Sequence, residues 1–309
     1  MSAAGFSLAE TLVTLVLTLM VVGTAISVAV PVSRASMIQP EVMDVQQRAR
    51  VAAEMIARDL ASAGAGSYAG PARGALPAFV PAILPRRMGA ANGDGPDVAR
   101  ATAITMFSVP MTAAETTTSA PISSASLTLA VNTAANCGAA ALCGLLAGQD
   151  VIVADGAGHF DVFRITRVNG ATGTLRHHGQ DLAWQYPAGV SVSQVVSRTY
   201  EFDAAARQLR QYDGDQSDQP AVDHLTSVTF SYWGSAPGGA SGLTPLPLSA
   251  FTDGPWSGAG TTRFDVDLLR VRSIRVAIGA EAADTRWRAQ VPIFGVTLEV
   301  APRSLGAGG

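Results

Sequence analysis

No charged side chain occurs between Thr11 and Ser33. This run constrains the fold more than any other feature, because an uncharged helix of such length has few places to go. Phe6 to Val32 forms a mostly apolar stretch of 27 residues, about 40 Å long as a helix. A bilayer core needs only about 20 residues, so the segment is long enough to span with several to spare. A cleavable secretory signal has an apolar region of about 7–15 residues behind a basic one. Met1 to Gly5 contains neither Lys nor Arg. The small residues of Ser27-Val28-Ala29 could serve as a cleavage site, which leaves ordinary secretion as the competing reading.

The nearest charge before the run is Glu10. A carboxylate costs about 2.5–3.5 kcal/mol at mid-bilayer and less near an end, where it reaches the interface. Two readings are open. Glu10 sits at the membrane edge in the first helical turn, where it favours the helix dipole, or it is kept there to pair with a cation.

Gly5-Phe6-Ser7-Leu8-Ala9-Glu10, followed directly by Thr11-Leu12-Val13-Thr14-Leu15-Val16, resembles the N-terminal processing signal of type IV prepilins and pseudopilins. The resemblance implies that a membrane prepilin peptidase cuts after Gly5 and that Phe6 is N-methylated as the new terminus. It implies that Glu10 pairs with the terminal amine of a neighbouring subunit, which supplies the cation a buried carboxylate requires. The sequence departs from the family pattern in one respect, since Met1-Ser2-Ala3-Ala4 lacks the basic residue such leaders usually carry.

Helical periodicity returns from Glu41 to Leu60, where Val42, Val45, Ala49, Ala52, Ile56 and Leu60 recur at steps of three and four. Asp44 with Arg48, and Glu54 with Arg58, are spaced as i,i+4 ion pairs on the outer face. Pro31 and Pro40 should kink or locally melt the helix, and Gly64-Ala65-Gly66 should end it. The Gln/Arg turn at Gln46-Gln47-Arg48 and the ending Ala57-Arg58-Asp59-Leu60-Ala61-Ser62-Ala63-Gly64 are similar to PilW-like minor pilins and J-type minor pseudopilins of type II secretion.

Residues 64–100 are rich in Gly, Pro and Ala and read as an irregular crossing loop. Beyond them the pattern predicts strands at 103–109, 126–131, 150–154, 160–168, 190–202, 208–212, 222–232, 268–278 and 291–300. In the fourth of these, Val162, Arg164, Thr166 and Val168 are expected on one face. Asp203-Ala204-Ala205-Ala206 reads as a hairpin connection, and Ser235–Thr262 as a mobile surface loop. The expected fold is therefore α+β and pilin-like, with one long helix packed on an antiparallel β-rich head. Its expected divisions are a leader at 1–5, a transmembrane and fibre-core helix at 6–33, an amphipathic continuation at 34–63, and a periplasmic head at 64–309.

Composition narrows the chemistry. Charged residues are 15% of the chain, all 21 basic residues are Arg, and the net charge is −3. Lysine chemistry, including Schiff bases and P-loop phosphate binding, is excluded, and nucleic acid is not an expected partner. Cys137 and Cys143 enclose five residues. In an oxidising compartment they read as a disulfide worth about 2 kcal/mol, with a free pair as the alternative. Zinc would lack two further ligands. His159, His177, His178 and His224 show no helical i,i+4 metal spacing. Asp213, Asp215 and Asp218 alternate as in a calcium loop, but a glycine at the sixth position and a Glu at the twelfth, where Leu225 stands, are missing. The turn Asn92–Asp97 is similarly acidic. Neither metal nor cofactor is expected.

The resemblance implies a structural role, namely a minor pilin or pseudopilin that primes or caps a type IV pilus or a secretion pseudopilus. Its expected partners are the prepilin peptidase, other pilins or pseudopilins, and the inner membrane. The competing reading is a membrane-anchored periplasmic enzyme or binding protein with a β-rich head, in which Gly5 and Glu10 have no role.

Overall fold

A computed structural model describes residues 7–66, 76, 80–111, 114–133, 142, 144–177, 182–235, 242–258 and 263–305, except for the side chains of 34, 35 and 303. One helix, α1, spans Leu8–Ser62, about 80 Å for its 55 residues. It continues through both Pro31 and Pro40, so each proline removes a backbone hydrogen bond without ending the element. The local melting expected from the sequence does not occur at either proline.

The two halves of α1 differ in burial. From Leu8 to Val32 the large apolar side chains are exposed, Leu8 by 81% and Val22 by 46%. Distally, Val45, Ala49, Ala52, Ile56 and Leu60 are at most 1% exposed. The 3.6-residue stripe read from sequence is thus the docking face, and its alanines let the backbone approach the head closely. Asp44 pairs with Arg48 as expected. Glu54 and Arg58 do not pair, because Arg58 leans instead toward the adjacent Asp59 at 3.6 Å.

Seventeen short strands follow among the described residues. They are β1 (Ile83–Leu84), β2 (Ala103–Ser108), β3 (Glu115–Thr117), β4 (Thr128–Ala130), β5 (Asp150–Ala154), β6 (Phe160–Asn169), β7 (Thr174–His177), β8 (Ser191–Gln194) and β9 (Val196–Asp203). The remainder are β10 (Gln208–Tyr212), β11 (Asp218–Val222), β12 (Leu225–Ser235), β13 (Leu243–Leu246), β14 (Trp256–Ser257), β15 (Phe264–Asp265), β16 (Val271–Ala280) and β17 (Phe294–Val300). Every pairing is antiparallel.

Two sheets, in the orders β1-β2-β9-β10-β11 and β13-β12-β16-β17, share one apolar core with the distal half of α1. The helix lies against β16 and β17. Polar clamps reinforce the contact. Glu41 accepts from the backbone N–H of Ala283 at 2.6 Å and of Asp284 at 3.2 Å. Tyr200 donates its hydroxyl to Asp59 at 2.8 Å. Burial, and then the Asp59 charge, push the Tyr200 phenol above its ordinary pKa.

The third sheet, ordered β3-β8-β5-β6-β7-β4, closes on itself. Thr118 bridges Val131, Ser119 N–H donates to Ala130 O at 2.9 Å, and Asn132 N–H donates to Thr117 O at 2.8 Å. Its first and last strands are thereby joined into a small six-stranded barrel inserted between β2 and β9. The barrel has its own apolar filling, including Leu129, Val131, Val151, Val153, Ile165, Leu175, Tyr186 and Val192. Alternate residues of β5, Ile152 and Ala154, point the other way into the main core, so this strand is buried on both faces.

Three sequence expectations change here. The stretch 190–202 is two strands, since the chain leaves the barrel as β8 and enters the main sheet as β9. Within β6, Val162 packs on the main core but Val168 packs on the barrel core. A β-bulge between Ile165 and Arg167 inserts one residue and reverses the alternation. The described parts of 235–262 are ordered structure with Leu246 and Phe251 buried, and they do not form an open loop.

The crossing segment is irregular yet held by arginines. Arg87 bonds Glu201 at 3.1 Å and Asp218 at 3.0 Å, and its guanidinium lies over the Tyr212 ring at 3.9 Å. Arg100 joins Asp94 at 2.5 Å to Glu201 at 2.7 Å. Arg86 is 3% exposed, and burial lowers its pKa to about 10.

Candidate functional site

The proximal end of α1 carries the only residues whose sequence pattern pointed to a specific process. Ser7 is the N-cap. Its hydroxyl accepts from Glu10 N–H at 3.2 Å, while Glu10 Oε2 accepts from Ser7 N–H at 3.1 Å. These reciprocal bonds form a capping box that satisfies two N–H groups the helix start leaves open. Glu10 therefore occupies the first-turn position favoured by the helix dipole. Gly5 and Phe6, the residues flanking the expected cleavage point, lie outside the described residues.

The hydroxyls of the apolar half are all turned inward. Thr11, Thr14, Thr18, Thr24 and Ser27 each donate to a carbonyl three or four residues back, at 2.6–2.9 Å. Such back-bonding leaves the helix surface apolar despite its threonines and suits a medium with no water to pair them. This half is long and apolar enough to cross a membrane.

The acidic turn after β10 does not gather all three of its candidate carboxylates around one point. Asp213 and Asp215 face Arg164 at 3.5 and 2.6 Å, whereas Asp218 bonds Arg87 and Arg210 at 3.0 and 2.9 Å. Arg164 also grips Asp150 with two bonds, at 2.8 and 3.0 Å. These bonds, led by those to Asp150, raise the Arg164 pKa above its ordinary value. Burial pushes the Asp213 carboxyl up, but the N–H groups of Asp215 and Ser217, together with Arg164, outweigh it and leave it below its ordinary value. A guanidinium thus stands where the spacing suggested calcium. In the other acidic turn, Asp94 is engaged by Arg100 and by Arg87 N–H at 2.7 Å.

The histidines do not assemble. His159 Nδ1 contacts Asp155 at 2.7 Å under a stacked Trp184 ring. His177 is buried with Nε2 2.7 Å from Ser126 O, and His224 sits in a left-handed turn beside Asp223. His178, Cys137 and Cys143 lie outside the described residues. Asp253, Asp265 and Asp267 do converge, which the sequence reading missed because they are twelve residues or more apart at the extremes. Asp265 is occupied by Gly254 N–H at 2.6 Å and Asp267 N–H at 2.9 Å, and Asp267 is held by Arg270 at 2.8 Å. These bonds fold a loop.

No family model, curated protein or solved structure matches the chain. A long apolar N-terminal helix seated on an antiparallel β-rich head is nonetheless a pilin-like architecture in general terms.

Proposed function

We propose that the chain is a minor pilin or minor pseudopilin that helps prime or cap a type IV pilus or secretion pseudopilus. The observation carrying this reading is the construction of α1, whose bare, hydroxyl-satisfied apolar half continues as one helix into a half docked on the head. Such an element serves first as a membrane anchor and then as a shaft buried among like helices. The prepilin-like sequence around Gly5, Phe6 and Glu10 supports the same reading. Prepilin peptidase would release Phe6 as an N-methylated terminus. The head would face the periplasm, and the partners would be other pilins or pseudopilins. The work is assembly and not catalysis.

Intact-mass and N-terminal analysis of the membrane-extracted chain tests the reading. A methylated Phe6 terminus is expected, and an unprocessed chain or one cut near Ala29 overturns it. The capping box refines the test of Glu10. Glu10→Gln keeps an acceptor for Ser7 N–H but removes the charge, whereas Glu10→Ala removes both. Both variants should still be cleaved and fail to enter fibres. Normal fibre entry by Glu10→Gln would reduce Glu10 to a cap.

A further inference from the structure

Most described arginines are ion-paired, and Arg167 and Arg176 are among those that are not. Among the described residues neither guanidinium has a carboxylate, hydrogen-bond or ring partner, and both side chains are exposed. They are also register partners, directly opposite one another on β6 and β7. Opposed residues have Cβ atoms about 4.5–5.5 Å apart, and like charges there oppose strand pairing. The chain avoids this elsewhere, since the exposed arginine of β16, Arg275, faces Glu299 and bonds it at 3.2 Å.

The β-bulge creates the arrangement. Phe163 and Ile165 point into the barrel, so strict alternation would send Arg167 inward as well. The extra residue, Thr166, turns Arg167 outward beside Arg176 and sends Val168 inward in its place. Around the two cations the outer face offers neutral hydrogen-bonding groups. Thr128 is the register partner of Arg176 on β4, and Thr174 and Asn169 form the next row. Strands β4 and β7 carry no acid, and the only one on β6, Asp161, is buried at the far end among Tyr186, Ala183 and Trp184.

We propose that Arg167 and Arg176 form a binding site for a sulfate or phosphate ester borne on a polysaccharide. Two adjacent guanidinium groups match the several oxygens of one tetrahedral oxyanion. Threonine and asparagine side chains beside them suit sugar hydroxyls. Anionic membranes and nucleic acids are met by broader basic surfaces, with clusters of about 4–8 Lys/Arg typical for lipid headgroups. Here, among the described residues, the basic feature is a single pair, in a chain of net charge −3. The site lies on the barrel, whose core includes no residue of α1. The proposal does not depend on processing at Gly5.

The test measures binding of the full chain, in neutral detergent, to immobilised dextran sulfate at physiological salt. Neutral dextran, inorganic phosphate and phosphatidylglycerol-doped micelles act as competitors. Saturable binding is expected, competed by phosphate but not by neutral dextran, and weakened at least tenfold in Arg167→Gln and in Arg176→Gln. Arg286→Gln, at a side chain 80% exposed elsewhere on the head, should bind as wild type does. Arg176→Glu should abolish binding while raising the melting temperature, because it replaces a repulsive cross-strand pair with an attractive one. A misfolded barrel could not give that pair of results. Absence of binding by the wild type, equal losses in Arg167→Gln and Arg286→Gln, or competition by phosphatidylglycerol alone would overturn the proposal.

Discussion

Arg164 is the ionic staple between the barrel and the main body, and Arg164→Met probes it with little change in side-chain length. Its partners come from both sides, Asp150 on β5 within the barrel and Asp213 and Asp215 on the turn after β10. Removing one member of a fully buried pair costs about 3–5 kcal/mol, and an exposed pair contributes about 0–1 kcal/mol. These four side chains are 18–30% exposed, so the expected loss lies between those limits, at about 2 kcal/mol. For a body of this size that lowers the melting temperature by about 4–8 °C. The loss should depend on pH. The Asp213 carboxyl is held below its ordinary value in the fold, so its stabilisation is complete above the unfolded value of 3.8 and disappears as pH falls through the folded one. The gap between wild type and variant should therefore be full at pH 7 and shrink in strong acid. Without the guanidinium, three carboxylates are left facing one another, and about millimolar calcium should restore part of the lost stability. Wild type should respond neither to calcium nor to a chelator. Scanning calorimetry across pH, with and without calcium, checks each point. A variant melting within about 1 °C of wild type would refute the staple, and a chelator-sensitive wild type would show that a metal shares the cluster.

Ile56→Ala removes a fully buried side chain from the docking face of α1 and should cost about 2–5 kcal/mol by denaturant unfolding, with faster amide exchange in residues 45–60. Glu41→Ala leaves the N–H groups of Ala283 and Asp284 without their acceptor and should cost about 1–3 kcal/mol, read by the same unfolding assay. Gly89→Ala should be poorly tolerated, because φ is +147° there and a Cβ would lie 2.4 Å from Tyr212 Cε1 and 2.5 Å from Gly214 O. A loss of about 1–3 kcal/mol is expected, and a melting temperature unchanged from wild type would contradict the geometry.

What could be read from the sequence was whatever is local. The stripe from Val45 to Leu60 repeats with the period of a helix and proved to be the docking face. The hairpin at Asp203 was also readable, because one aspartate caps its own turn by accepting from Ala205 and Ala206 N–H at 3.0 and 2.9 Å. The prolines misled, since the cost of a missing N–H is local whereas the helix around it is long and cooperative. The calcium-like spacing at Asp213, Asp215 and Asp218 was ambiguous for a different reason. It records where carboxylates lie along the chain, but the cation that meets Asp213 and Asp215, Arg164, is about fifty residues away in sequence.

The barrel was illegible for a topological reason that also explains its most unusual surface. Val190 to Phe202 reads as one strand because its Val, Thr, Tyr and Phe run on with no Gly, Pro, Asn or Asp to mark a turn, yet Val195 lies at the point where the chain passes from barrel to main sheet. Hydrophobic alternation reports that a side chain is buried without reporting in which of two cores. On β5 both faces are buried, so Val151-Ile152-Val153-Ala154 shows no alternation. On β6 the two cores lie on opposite faces, and the bulge at Ile165–Arg167 exchanges the faces along the strand. A pattern counted in steps of two then places Val168 with Val162 and sends Arg167 to the wrong side. The error is informative, because an uninterrupted strand would bury an arginine in a barrel filled with Leu, Ile and Val, at a prohibitive cost. The bulge avoids that burial, yet a simple Arg167→Val exchange would have avoided it too. That the chain keeps an exposed arginine opposite another, and bends a strand to do so, is the strongest physical reason to look for an anion there.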